Sequence, residues 1–177
     1  MNLSAATRES IRHRAGYACE YCGVSEVNTG GLLTIDHYQP IAKGGNDHLD
    51  NLLYCCSRCN LYKHDYFPDT PAAPSLWHPR QTAFSDHFLE LEDGSLQARD
   101  SIGEFSILRL RLNRPPLIAW RLQKRQEDEW KRLLARYQEL AELQALLSRQ
   151  LASLAAEQNQ LLEAQQKLLK LLLEQKR

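Results

Sequence analysis

The last third of the chain carries a regular hydrophobic pattern. Leucine recurs at every seventh position over five heptads, as Leu133, Leu140, Leu147, Leu154, Leu161 and Leu168. A seven-residue apolar repeat of this length is typical of a coiled coil, because it places one continuous stripe on a helix. Residues 118–177 contain no Gly, Pro or Cys. We therefore predict a long helix there, which associates with a second copy, binds a partner or folds back on its own domain.

With these leucines at d, the a positions are Trp130, Tyr137, Gln144, Leu151, Gln158, Gln165 and Leu172. The three glutamines weaken a simple dimer but fix its register.

The preceding residues alternate between short apolar runs and turn signals. The pattern predicts a helix over 4–14, strands over 32–36 and 51–55, a helix over 59–66, a hairpin over 88–99 and a helix over 101–113. Pro115-Pro116 separates these elements from the long tail. The expected fold class is α+β, in three parts: residues 1–66, an α+β extension over 67–117, and the helical region over 118–177.

Composition excludes several classes of protein. The 177 residues carry 22 basic and 22 acidic side chains, so the zero net charge excludes a strongly basic, histone-like binder. No run of 18 apolar residues predicts a membrane span, and the N-terminus lacks the apolar core of a signal peptide. We expect a cytoplasmic protein, in a compartment where disulfides are rare.

The five cysteines all lie in the first 66 residues. Four form two Cys-x-x-Cys pairs, Cys19 with Cys22 and Cys56 with Cys59, separated by 33 residues. Four thiolates suit tetrahedral Zn²⁺, and the site is then structural because no position remains for water. The alternative is a redox pair of Cys-x-x-Cys motifs. Cys55 would face away from Cys56 on a strand, so it is expected to be a buried cysteine outside the site.

Between the two pairs, a set of features recurs in a defined order. They are Asp36-His37 at the end of a strand, Pro40, Gly44-Gly45, Asn51-Leu52, Cys56 to Cys59 followed by Asn60, and Lys63. In this order and spacing, the segment from about Arg8 to Asp65 resembles the HNH endonuclease family. The resemblance implies a zinc-stapled ββα-metal nuclease domain over residues 1–66.

The resemblance also assigns roles to these residues. His37 is the general base that takes a proton from water, a task that suits a neutral imidazole. Asp36 and Asn60 hold a catalytic Mg²⁺ or Mn²⁺ through oxygen atoms. Asn51 positions the loop that carries His37. Three basic residues flank the site and are candidate phosphate contacts: Lys43, Arg58 and Lys63. His64, one helical turn beyond Asn60, is a candidate third metal ligand or phosphate contact.

The expected function is metal-dependent hydrolysis of DNA phosphodiester bonds, with a homo-oligomer or a protein partner bound through the tail. The alternative is a non-catalytic, zinc-dependent nucleic-acid-binding or adaptor subunit of a larger complex, for example in defence or RNA-guided recognition. The set of Asp36, His37, Asn51 and Asn60 favours the enzyme, since an adaptor does not need it.

The charge of the Cys-rich part is unusual for a DNA-binding domain. Residues 1–66 contain 6 basic and 7 acidic side chains. DNA affinity depends heavily on Lys and Arg that neutralise phosphates. Either the fold concentrates a few cations locally, or the tail or another subunit supplies them.

Overall fold

The computed structural model describes residues 3–174. Its helices are α1 (Ala5–Arg14), α2 (Glu26–Thr29), α3 (Ser57–Lys63), α4 (Phe84–His87), α5 (Ser101–Arg109) and α6 (Pro115–Glu174). Its strands are β1 (Thr34–His37), β2 (Leu52–Cys55), β3 (Phe88–Glu90) and β4 (Leu96–Ala98). The described residues leave out both ends of the predicted division. Residues 1–2 of the predicted 1–66 region and residues 175–177 of the predicted 118–177 region lie outside them, as does the side chain of Leu172, a predicted a position.

Strands β1 and β2 form an antiparallel pair in which Asp36 lies opposite Leu53 and His37 opposite Leu52. All four residues of β2 are buried, and Leu52 and Tyr54 pack with Ile11 of α1 in a small core cluster. A strand buried on both sides reads as a continuous apolar run, which accounts for the sequence of β2. The pairing leaves Asp36 and His37 at the end of β1.

Helix α3 begins two residues after β2 because Cys56 caps it, its Sγ accepting a hydrogen bond from the N–H of Cys59 at 3.4 Å. The helix was predicted over 59–66. It starts earlier because of this cap, and it ends at Lys63 because His64 takes a positive φ of 54°.

The predicted hairpin is confirmed, since β3 and β4 pair antiparallel with Phe88 opposite Ala98. Helix α5 begins at Ser101, as predicted, because Asp100 caps it: the Asp100 Oδ1 accepts from the N–H of Gly103 at 2.7 Å. Helix α5 is shorter than predicted, since Arg111 adopts a φ of 50° just after it.

A single large core joins the Cys-rich part to the extension. It contains Cys19, Leu53, Trp77, Phe88 and Leu110, among others. The first residues of α6 belong to the same unit, which ends at Lys124: Leu117 is buried in this core, and the Arg121 guanidinium donates to the carbonyl oxygens of Gly94 and Leu112. Pro115 and Pro116 open the helix, where proline is well tolerated.

The second unit begins at Arg125 and contains the rest of α6. The six leucines of the heptad repeat are each more than half exposed in it. The long C-terminal helix is thus present, whereas its coiled-coil character and the three-part domain division stay predictions. Within residues 3–174, no helix combines the length and apolar character needed to cross a membrane.

Candidate functional site

Four cysteine sulfurs form a compact cluster between the segment that joins α1 to α2 and the first turn of α3. The Sγ atoms of Cys19, Cys22, Cys56 and Cys59 all lie within 4.8 Å of one another. Those of Cys22 and Cys56 are 3.8 Å apart. Four sulfurs placed about 2.3 Å from a tetrahedral Zn²⁺ would be separated by about 3.8 Å. The spacing therefore fits the zinc ion that the sequence predicted.

The sulfurs accept hydrogen bonds from the Cys59 N–H and from the Arg114 guanidinium. The Arg114 guanidinium donates through Nη2 to Cys59 Sγ at 3.9 Å. Burial lowers the pKa of Arg114, but attraction to Cys59, the hydrogen bond to Cys59 and attraction to Cys22 and Cys56 together outweigh burial, so the pKa is raised. Hydrogen bonds with neighbouring cysteines lower the pKa of Cys56, and the hydrogen bond with Cys19 has the largest effect. The contacts of Cys56 favour its thiolate, the form that binds a metal, whereas hydrogen bonding with Cys22 raises the pKa of Cys19 and hydrogen bonding with Cys19 raises the pKa of Cys59.

Cys55 is outside this cluster, as expected. It is fully buried, and its Sγ lies 3.7 Å from Thr34 Oγ1. Burial raises the pKa of the Cys55 thiol, so this residue remains a protonated, apolar-packed cysteine.

Asp36 is held by a lysine from α3. The Lys63 Nζ lies 2.9 Å from Asp36 Oδ2 and donates to the His37 carbonyl oxygen at 2.7 Å. Asp36 Oδ2 has no hydrogen-bond partner of good geometry among the described residues, so the contact is an ion pair without a well-directed hydrogen bond. Lys63 is fully buried. The expected phosphate contact by Lys63 is therefore corrected, because its ammonium points into the protein.

His37 is held by a different partner. Its Nε2–H donates to Asp47 Oδ1 at 2.6 Å. A carboxylate only accepts, so this contact places the proton on Nε2 and leaves the lone pair on Nδ1. Asp36 and His37 are consecutive on β1, where successive side chains point to opposite faces. Each of the two side chains is thus fixed separately, Asp36 by α3 and His37 by the following loop.

Asn51 ties that loop together. Its amide oxygen accepts from the Gln39 N–H at 2.8 Å, and its Nδ2 donates to the carbonyl oxygens of Gln39 at 2.9 Å and Asn46 at 2.8 Å. The loop is tight at Gly45, where an added Cβ would lie 1.9 Å from the Gln39 carbonyl oxygen. These contacts are what a loop-positioning role for Asn51 requires.

Asn60 lies on α3 three residues before Lys63, so the two project from neighbouring positions of the helix, and the Lys63 side chain contacts β1. His64 lies just beyond the helix. Its side chain is about two-thirds exposed, and its Nδ1 contacts Asp65, which leaves Nε2 for any ligand. His64 as a third metal ligand stays a prediction.

One of the comparisons with known proteins matches part of the chain. Residues 19–66 match the family model of the HNH endonuclease. This segment is an HNH domain. Neither the curated proteins nor the solved structures gave a match to the chain. The matched segment contains all four cysteines of the cluster together with Asp36, His37, Asn51 and Asn60. An HNH domain indicates a nuclease or another function connected with nucleic acid.

Two further predicted phosphate contacts differ in their surroundings within the HNH domain. Lys43 Nζ donates to the Phe67 carbonyl oxygen at 2.9 Å and pairs with Asp69 at 2.8 Å. Arg58 is exposed on α3. Of the two, Arg58 presents its charge to solvent, whereas Lys43 is already engaged within the chain.

The sequence did not point to Asp47 or Arg114. Asp47 lies in the loop after Gly44-Gly45, where no spacing rule distinguishes it from its neighbour Asp50. Arg114 is separated from Cys59 by 55 positions, outside the matched segment. Both are brought to the site by tertiary packing.

Proposed function

We propose that this chain is a metal-dependent endonuclease that hydrolyses DNA phosphodiester bonds. The observation that carries the proposal is the separate fixing of Asp36 and His37 at the end of β1 within an HNH domain. One side chain faces α3, and the other faces the loop closed by Asn51. A hydrolytic site needs a carboxylate for a metal and a base for water on two sides of one phosphate.

The side chains of Asp36 and Asn60 would hold a catalytic Mg²⁺ or Mn²⁺. They offer oxygen atoms, which these ions prefer, and they leave positions for water. Asp36 Oδ2 is buried without a hydrogen bond of good geometry, so an electropositive partner beyond the Lys63 ion pair would be favourable there. When bound, the ion would stabilise negative charge on the phosphate and the leaving oxygen.

His37 would take the proton of the attacking water at Nδ1. Because Nε2–H donates to Asp47, the ring is held in the tautomer with Nδ1 unprotonated. The protonated ring that results would lie beside a carboxylate, which stabilises its charge. The four-cysteine zinc would have no chemical role. It would hold α3 against the segment that carries Cys19 and Cys22.

The rival function is a non-catalytic nucleic-acid-binding or adaptor subunit. One observation favours it: Asp36 already has a cation, Lys63, against it. An ammonium at 2.9 Å competes with a divalent ion for the same carboxylate. Direct metal binding therefore distinguishes the two functions.

The tail would join two copies of the chain. A helix with six leucines in heptad register, each more than half exposed, leaves an apolar stripe that a lone helix cannot bury. We further propose that the protein acts in the cytoplasm, because the four zinc-binding cysteines have to remain reduced.

Calorimetric titration with Mn²⁺ tests the metal site directly. The zinc-loaded full-length protein should bind Mn²⁺, Asp36→Ala should lose that binding, and His37→Ala should retain it. Equal Mn²⁺ affinity in the two variants would contradict the division of roles, and no binding to the parent protein would favour the adaptor.

A further inference from the structure

Carboxylates accompany most cations of the first 80 residues. Five of the seven Lys and Arg side chains in residues 3–80 lie within 4 Å of an acidic oxygen. These pairs are Arg12 with Glu26, Arg14 with Glu20, Lys43 with Asp69, Lys63 with Asp36, and Arg80 with Asp50. Charges neutralised in this way contribute little to binding an external polyanion.

A different set of arginines surrounds Tyr62 of α3. The guanidinium carbon of Arg111 lies 4.9 Å from the centre of the Tyr62 ring, and that of Arg114 lies 5.6 Å from it. Arg58 is four residues before Tyr62, so both side chains project from the same side of α3. Among the described residues, none of the three arginines forms an ion pair with a carboxylate.

The backbone at Arg111 adds an independent observation. Its φ of 50° lies in the left-handed region, directly after the C-cap of α5, a position that usually holds glycine. An arginine there is less favourable than glycine, yet its exposed side chain reaches the Tyr62 ring. Strain of this kind concentrates at functional positions.

The three arginines are not equivalent. Arg114 is half-buried and also donates to Cys59 Sγ, so part of its positive charge compensates the negative charge of the zinc-binding thiolates. Arg58 and Arg111 are exposed. A guanidinium over an aromatic ring keeps its N–H groups in the plane free, and these groups match the oxygens of a phosphate.

We propose that Arg58, Tyr62 and Arg111 form a binding surface for the phosphate backbone of duplex DNA. The proposal rests on the proposed function for its choice of DNA. Arg58 and Tyr62 leave α3 on the side away from Asn60 and Lys63, and the diameter of a helix is about 10–12 Å. The surface would thus hold phosphates that flank the scissile one. It would concentrate cations locally in a domain with no net positive charge.

The salt dependence of DNA binding tests this surface. Binding is measured on full-length, zinc-loaded protein carrying His37→Ala, so that the duplex is not cut, at 50–200 mM salt. Each phosphate contact contributes about 0.9 to the slope of log K against log salt. Changing Arg58→Gln together with Arg111→Gln should lower the slope by about 1.8 per bound protomer and weaken binding at least about tenfold at the low-salt end.

Matched variants make the result specific. Arg8→Gln with Arg99→Gln removes the same charge from two exposed arginines elsewhere, and should leave the slope unchanged. Tyr62→Phe should preserve binding and Tyr62→Leu should weaken it, since only the first retains the ring. Zinc content and melting temperature establish that each variant is folded.

The outcomes separate the two proposals. The proposed phosphate-binding surface would be overturned by either of two results. One is an equal slope of log K against log salt for the Arg58/Arg111 and Arg8/Arg99 double variants, and the other is no binding of the parent protein to duplex DNA. If the protein cuts plasmid but the salt dependence of binding is unchanged in the Arg58/Arg111 double variant, only the proposed surface is overturned. A protein whose slope responds but which never cuts overturns the nuclease alone.

Discussion

The Lys63 ammonium lies 2.9 Å from a carboxylate oxygen of Asp36, and Lys63 is fully buried. The same ammonium donates to the His37 carbonyl oxygen at 2.7 Å. One side chain of α3 therefore holds both the backbone and the carboxylate at the end of β1. In addition, Arg109 donates to the Lys63 carbonyl oxygen at 2.9 Å, which joins α5 to this contact.

Removing this ammonium should destabilise the fold. Lys63→Met keeps most of the side-chain volume but leaves Asp36 without its cation. Breaking a buried ion pair on one side costs about 3 kcal/mol. Urea unfolding should show this loss, and Mn²⁺ should restore part of it if the metal binds Asp36. Lys131→Met, on an exposed side chain of α6, is the control and should change little. If Lys63→Met had the same free energy of unfolding as the parent protein, the proposed stabilising role of the Lys63 contacts with Asp36 and His37 would be refuted.

A second prediction concerns Asp47, whose carboxylate accepts from His37 Nε2 at 2.6 Å. Asp47→Ala should lower kcat about tenfold to a hundredfold, because the imidazole loses its orientation. The KM for DNA and the affinity for Mn²⁺ should stay the same, and Asp47→Asn should recover part of kcat since it keeps an acceptor oxygen. Asp50→Ala removes an exposed carboxylate of the same loop and serves as the control. An effect on KM alone would argue against a positioning role.

The sequence predicted those features of the site that depend on local geometry. The two Cys-x-x-Cys pairs predicted a tetrahedral zinc site, with a redox role as the alternative, and the structure brings their four sulfurs within 4.8 Å of one another. The HNH resemblance is likewise confirmed over residues 19–66. The hairpin and the long tail helix follow from turn residues and from periodicity, and both are present.

Features that depend on packing between distant elements could not be predicted. Lys63 looks like a surface cation in the sequence, because helical spacing alone does not show which side of α3 faces β1. Its burial results from the contact with Asp36, 27 positions earlier. Asp47 reaches His37 from the loop after β1, and Arg114 reaches Cys59 from the position just before α6. The catalytic roles of Asp36, His37, Asn51 and Asn60 stay predictions.

Zinc removal should affect folding, since a structural zinc contributes folding free energy. Cys22→Ser should lose zinc and lower the melting temperature of the first unit. Cys55→Ala should keep one zinc per chain, because Cys55 lies outside the cluster. Atomic absorption and thermal unfolding check both variants. A zinc-free Cys22→Ser protein with the parent's melting temperature would contradict a structural role.

The tail should make the full-length chain an oligomer, most simply a dimer. Replacing Leu147 and Leu154 with Lys should yield a monomer, because each substitution would bury an unpaired charge in the interface. Light scattering at tens of micromolar measures this, with Lys at two positions of the opposite face, Glu142 and Arg149, as the control. A parent protein that is monomeric at this concentration would mean that the stripe has another partner.

Plasmid nicking by His37→Ala tests the central claim most directly. The parent protein should nick supercoiled DNA in Mg²⁺ or Mn²⁺ and not without them. His37→Ala should lower the rate by about a hundredfold or more, since general-base catalysis contributes 10²–10⁴. His48→Ala, which removes an exposed histidine of the same loop, should nick at the parent's rate. A His37→Ala protein within about tenfold of the parent's rate would contradict the proposed mechanism.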